Sequence, residues 1–116
     1  MEVYQSSYKL AMEIFHSTRN FPKDELYSLT SQMRNSSRSI PANIAEGWSK
    51  RRYENVFKKQ LLDALGSSDE TKVWLDFARD CKYISNDTYD NLTEQYERLG
   101  RKLFTLIETW KNFNNL

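Results

Sequence analysis

A glutamate and the chain's one histidine, Glu13 and His16, stand three positions apart. This Glu-x-x-His spacing is the one that di-iron carboxylate proteins use, where each of two bundle helices supplies such a pair. Because His16 is the sole histidine, one chain cannot supply the second pair. We therefore expect no metal and no other cofactor, and we interpret His16 as an ordinary, partly exposed side chain. A metal-dependent bundle is the weakest alternative, and it requires a buried carboxylate cluster near His16.

Residues for nucleophilic or phosphate-binding chemistry are also missing from the sequence. The chain has no Ser-His-Asp constellation and no phosphate-cradling loop among its 3 glycines. The single cysteine, Cys81, cannot form an intramolecular disulfide or a multi-cysteine zinc site. We expect that the protein is not an enzyme.

The densest basic stretch interleaves five cations with Tyr53 and Phe57: Lys50, Arg51, Arg52, Lys58 and Lys59. The formal net charge of the chain is only +1, so any attraction for nucleic acid must be local. Repeated around a ring of identical subunits, this stretch would contact the phosphates of RNA or DNA. The alternative interpretation is a solvated helix start in which Glu54 pairs with Lys58.

A proline interrupts the most unusual segment, residues 39–47, whose small and polar members we assign to packing or assembly: Ser39, Pro41, Asn43, Glu46 and Gly47. A proline in a helix interior costs about 3 kcal/mol, because it removes a backbone donor and crowds the preceding turn. Ile40 and Ile44 nevertheless keep helical spacing. We predict a kinked helix that continues through Pro41.

Other polar or small residues fall near the predicted seams between helices: Arg34, Arg38, Gly66, Glu70 and Gly100. Polar groups at such seams must be hydrogen-bonded or paired. We expect Asn43 and Glu46 to bridge helices or subunits through Arg34, and we expect Gly66 and Gly100 to mark close approaches of two backbones. The alternative for the polar set is a ligand or nucleic-acid site.

Apolar spacings of three and four residues predict the four helices that must position these side chains. The first begins near Tyr4 and breaks at Phe21-Pro22, where the second opens and carries Leu26 on its core stripe. The third runs from about Arg52 to Tyr83, and the fourth follows an N-cap at Ser85 and reaches Phe113. Short connections between them predict an all-α, antiparallel up-down four-helix bundle in one domain, residues 1–116.

The composition favours such a bundle and suggests that it assembles. Charged residues make up 28% of the chain, which suits solvated helices, and aromatic residues make up 14%. Several apolar side chains fall off the core stripes, and we expect an interface between copies there: Trp48, Tyr53, Val56, Val73, Trp74 and Phe77. The sequence has no apolar run of membrane-spanning length and no signal-like start, so we expect a cytoplasmic protein.

The chain resembles a bacterial family named four-helix bundle protein, or intervening-sequence protein of large-subunit ribosomal RNA genes. The resemblance lies in Phe21-Pro22 with Glu25, Leu29, Gln32 and Arg34, in the run 39–47, and in Gly66-Ser67 with Glu70. It implies a homo-oligomer, typically a pentameric barrel, and kinship with the accessory protein of diversity-generating retroelements, which binds nucleic acid and a reverse transcriptase.

The chain departs from the family pattern after Gln32. Met33-Arg34-Asn35-Ser36-Ser37 stands where the family usually has Leu-Arg-Arg-Ala-Ala, so one arginine is lost. The retroelement protein is also markedly basic, whereas this chain is balanced. The resulting hypothesis is a non-enzymatic assembly protein that binds RNA or DNA, or a partner such as a reverse transcriptase. The alternative is a protein scaffold that does not bind nucleic acid.

Overall fold

The computed structural model describes residues 1–111 and contains no β-strand in that range. The four α-helices are α1 (Glu2–Thr18), α2 (Leu29–Ser49), α3 (Glu54–Asp80) and α4 (Asn86–Thr109), and a short 3-10 helix (Lys23–Glu25) precedes α2. The predicted all-α class is therefore confirmed. The predicted extension of the last helix to Phe113 lies outside the described residues. No described helix combines the length and the apolar character that a membrane crossing requires.

One stripe of each helix faces a common core. The helical spacing of three and four residues puts seven side chains on the inward stripe of α3, and all of them are buried: Phe57, Leu61, Ala64, Ser68, Thr71, Leu75 and Ala78. Leu10, Ile14, Met33 and Tyr96 reach the same core from the other helices. Burial of each large apolar side chain contributes about 1.5–3 kcal/mol, so this shared core holds the four helices together.

α2 continues through Pro41, as the spacing of Ile40 and Ile44 predicts, and all three side chains are buried. The predicted start of α2 at Pro22 is wrong. The chain instead makes the 3-10 turn, and Ser28 leaves helical geometry at φ −127° and ψ −102° before the helix begins. Leu26, which the sequence placed on the core stripe, is consequently exposed.

The Glu25 carboxylate holds this turn in place. It accepts hydrogen bonds from the Ser28 hydroxyl at 2.5 Å and from the Tyr83 hydroxyl at 2.7 Å. These two bonds lower the pKa of Glu25, and the carboxylate raises the pKa of Tyr83 to about 12. The connection between α1 and α2 is thereby tied to the connection between α3 and α4.

The start of α4 agrees with the sequence. The Ser85 hydroxyl accepts a hydrogen bond from the backbone amide of Thr88 at 3.1 Å, so the predicted N-cap is confirmed. This bond satisfies one of the amides that a helix start leaves without an intrahelical partner.

Of the three glycines, Gly47 lies closest to a neighbouring helix. A Cβ atom added at Gly47 would lie 2.7 Å from the Cβ of Gln60 on α3, closer than two carbon atoms can pack. The prediction for Gly66 is wrong, because an added Cβ would meet no atom within 4 Å. At Gly100 the nearest atom would be the Cδ1 of Leu65 at 3.6 Å, which is ordinary contact. Gly66 lies on the outward face of α3, away from the core stripe.

We predict that Gly47→Ala destabilises the protein by about 1–3 kcal/mol, because α2 and α3 must move apart to accept the methyl group. Gly100→Ala is the matched control, and it should stabilise the fold by about 0.5–1 kcal/mol through better helix propensity. Chemical denaturation monitored by circular dichroism measures both. Equal stabilisation of the two variants would contradict a close contact at Gly47.

Candidate nucleic-acid interface

The structure brings the five predicted cations together where α2 passes into α3. Lys50, Arg51 and Arg52 form the connection itself, and Lys58 and Lys59 lie in the first turns of α3. The Lys50 ammonium pairs with Glu46 at 3.1 Å, and the Lys59 ammonium pairs with Asp63 at 2.9 Å. Both pairs are solvent-exposed, so they contribute little and can exchange for other anions.

An aromatic cluster supports this connection. The rings of Trp48, Phe57 and Trp110 pack together. The centroid of the Trp48 ring lies 6.0 Å from the Phe57 ring and 5.9 Å from the Trp110 ring, and the Phe57 and Trp110 rings lie 4.9 Å apart. The Arg51 guanidinium stacks 4.2 Å above the Trp48 ring and donates a hydrogen bond to the Trp48 carbonyl. The cluster therefore fixes the position of Arg51 at the surface.

Three of the five cations, Arg51, Arg52 and Lys58, have no acidic partner among residues 1–111. The Glu54–Lys58 pair of the alternative interpretation therefore does not form. Between Arg52 and Lys58 stands Tyr53, whose side chain is 62% exposed. The surface thus combines free positive charge with an aromatic face, the two features that contact phosphates and bases.

Three side-chain hydrogen bonds join α2 to α3. The Thr71 hydroxyl donates to Ser36, the Ser39 and Ser67 hydroxyls lie 2.8 Å apart, and the Gln60 amide donates to Asn43 at 2.9 Å. As the residue numbers increase along α2, from Ser36 to Asn43, the numbers of their partners on α3 decrease, from Thr71 to Gln60. Asn43 itself donates to the carbonyl and the hydroxyl of Ser39, at 2.9 and 3.0 Å.

The predicted bridge from Asn43 and Glu46 to Arg34 is wrong within the chain. Arg34 faces α1, where its Nε donates to the Thr18 hydroxyl at 2.9 Å and its guanidinium lies 4.8 Å above the Phe15 ring. Asn43 and Glu46 lie further along α2, and Glu46 pairs with Lys50. The register of α2 puts Arg34 and Asn43 on different sides of the helix.

The other predicted polar residues also contact side chains of the same chain. Arg38 lies 5.8 Å above the Phe15 ring, beside Arg34. Glu70 accepts a hydrogen bond from the Trp74 indole at 3.0 Å, one turn along α3. His16 is exposed, and its ring packs edge-on against Phe15 at 5.5 Å. Residues 1–111 contain no group of three or more His, Cys, Asp or Glu that could hold a metal ion.

Sequence reasoning missed a second basic surface, on α4. The spacing of Glu94 and Arg98 predicts a solvated ladder, and their side chains do pair at 3.5 Å. In the structure, Arg98, Arg101 and Lys102 also line an open groove beside α1. The spacing of these three residues could have revealed this surface. Arg101 and Lys102 follow Arg98 by three and four residues, next to the apolar stripe of α4, so all three lie on the flank of the helix beside that stripe.

These features define an all-helical protein with a basic connection between its second and third helices. A model of the 23S rRNA-intervening sequence protein family matches residues 1–105, so the chain belongs to this family. The resemblance seen in the sequence is thereby confirmed.

Solved structures agree on the fold. The crystal structure of a protein of unknown function from the S23 ribosomal protein family of Bacteroides thetaiotaomicron is 24% identical in sequence and superposes with a TM-score of 0.82. The match covers 92% of this chain and 99% of that one. Among curated proteins there is no match.

We predict that Asn43→Ala lowers the free energy of unfolding by about 1–2 kcal/mol, because it removes the acceptor of Gln60 and the donor to Ser39. Asn35→Ala is the control, since the exposed Asn35 makes only a 3.4 Å contact to Ser31 within its own helix. The two substitutions gain the same helix propensity. Identical unfolding curves would show that Asn43 does not join the helices.

Proposed function

We propose that the protein is a non-enzymatic subunit of a cytoplasmic homo-oligomeric ring, a pentamer of antiparallel up-down bundles, that binds RNA or DNA. The observation that carries the proposal is the connection between α2 and α3, where Arg52 and Lys58 lie without acidic partners beside exposed Tyr53. A partner protein that handles nucleic acid, such as a reverse transcriptase, belongs to the same proposal.

A ring is supported by two apolar stripes on different helices. α3 exposes Leu62, Val73 and Phe77 on its outward face, and α1 exposes Tyr4 and Tyr8, each more than a third accessible. Within the described chain no Cα atom of α1 lies close to one of α3, so the two helices occupy diagonal corners of the bundle. When the α1 stripe of one subunit packs on the α3 stripe of the next, the contact is head-to-tail, and such contacts close into a ring when the rotation between subunits allows it.

Ring assembly would repeat the basic connection once per subunit. The net charge of one chain is only +1, so a single copy generates a weak field. Several copies facing one side would raise the local density of cations and the number of phosphates contacted. Assembly and nucleic-acid binding are therefore coupled in this proposal.

We predict that replacing Arg51, Arg52 and Lys58 together by glutamate lowers affinity for a labelled single-stranded RNA by tenfold or more. The salt dependence should also weaken, since each lost phosphate contact reduces the slope of log K against log salt by about 0.7. Fluorescence anisotropy across a salt series measures both quantities.

The control carries the same charge change elsewhere, at the exposed cations Arg19, Lys23 and Lys82. It should bind RNA with a slope close to that of the unmodified protein. If both variants bind equally, or if the unmodified protein binds with no salt dependence, the basic connection is not the site and the scaffold alternative is favoured.

Assembly is tested separately with two variants. Val73→Glu blocks the α3 stripe and Tyr8→Glu blocks the α1 stripe, and both side chains are exposed, so each variant should fold as a single chain of unchanged helicity. Light scattering should show a monomer for each. An equal mixture should form a dimer, because one intact copy of each stripe remains and a head-to-tail contact can form once.

Tyr27→Glu is the control for this experiment, since Tyr27 is 93% exposed and lies outside both stripes. It should keep the mass of the unmodified protein. Unchanged mass in the two stripe variants, or a mixture that stays monomeric, would contradict head-to-tail assembly through these faces.

A further inference from the structure

α1 and α4 meet along an open groove instead of a closed seam. Its larger part has a volume of about 500 Å³ and lies beside Val3 on α1 and Leu106 on α4. A smaller opening of about 160 Å³ continues along the same helices and shares Arg98 and Lys102 with the first. The two together follow α4 from Gln95 to Thr109, which is about 21 Å or four helical turns.

The residue types on the facing flanks explain why the groove stays open. α1 contributes Ser6 and Lys9, and α4 contributes Gln95, Arg98 and Lys102. Charged groups are costly to bury without full pairing, so these flanks cannot close over each other as the apolar stripes do. α1 packs mainly on α2 and α4 mainly on α3, which leaves the α1–α4 side as the loosest of the bundle.

The groove has an apolar floor and a positive rim. Val3 is buried and Leu106 is half-buried, whereas Arg98 and Arg101 are exposed. Lys102 pairs with Glu2, and no other carboxylate among residues 1–111 lines the groove. Arg98 pairs with Glu94 at 3.5 Å, but both side chains are more than half exposed, so this pair can exchange for another anion.

We propose that this groove binds an acidic amphipathic helix of a partner protein. Such a helix would place apolar side chains at steps of three and four residues over Val3 and Leu106, and carboxylates against Arg98 and Arg101. The length of the groove corresponds to about four turns of such a helix. A phosphate backbone would use the cations but would leave the apolar floor without a partner, which favours a peptide over a nucleic acid.

The groove shares no lining residue with the basic connection, although its Thr109 end adjoins Trp110 of the aromatic cluster. It lies on the α4 side of α1, and the basic connection lies between α2 and α3. A partner can therefore occupy the groove whether or not RNA binds at Arg52 and Lys58.

The test uses the full chain and a fluorescein-labelled model helix of about 16 residues, with leucine at steps of three and four and glutamate elsewhere. The unmodified protein should bind it in an anisotropy titration. Replacing Arg98 and Arg101 together by glutamate should weaken binding tenfold or more, whereas the triple variant at Arg51, Arg52 and Lys58 should bind as the unmodified protein does. A lysine version of the helix should bind the Arg98, Arg101 variant better than the unmodified protein.

Two further probes make the outcome decisive. A scrambled peptide of the same composition lacks the apolar stripe and should bind at least fivefold more weakly, because it cannot cover the floor. Labelled single-stranded RNA should bind the Arg98, Arg101 variant as it binds the unmodified protein. The proposal is overturned if the scrambled peptide binds equally well, if the groove variant keeps full affinity for the model helix, or if it loses RNA instead of peptide.

Discussion

The close approach of α2 and α3 at Gly47 is the constraint on which the rest of the structure depends. With no Cβ there, Gln60 reaches Asn43, and Phe57 reaches the aromatic cluster at the end of the bundle. Because Phe57 is held in this cluster, Trp48 stays at the surface and provides the ring on which Arg51 stacks. The position of the basic connection thus follows from a packing contact, not from charge.

The distribution of charge and apolar surface explains how a nearly neutral chain can present several distinct faces. Cations collect at the connection between α2 and α3 and along the α1 flank of α4, while apolar side chains collect on the outward face of α3. The groove on α4 lies on a different helix from the apolar face of α3, so assembly through that face leaves the groove accessible.

Two predictions are wrong because helical spacing alone does not determine which residues a helix contains or contacts. Leu26 continues the spacing of α2, yet the Glu25 carboxylate bonds to Ser28 and Tyr83 and holds the chain in a separate turn. The spacing also predicts a close contact at Gly66, but an added Cβ there would meet no atom within 4 Å. Spacing identifies a face of a helix and does not identify what that face meets.

The sequence by itself determined the four helices, the α3 core stripe, the passage through Pro41 and the N-cap at Ser85, because these depend on residues within one or two turns. Only the tertiary structure decided which side chains meet across helices. Arg34 pairs with Thr18 and not with Asn43, Gly47 and not Gly66 is the close contact, and Arg98 and Arg101 flank a groove. Such contacts join residues far apart in the chain, and their choice depends on how every helix is rotated against its neighbours.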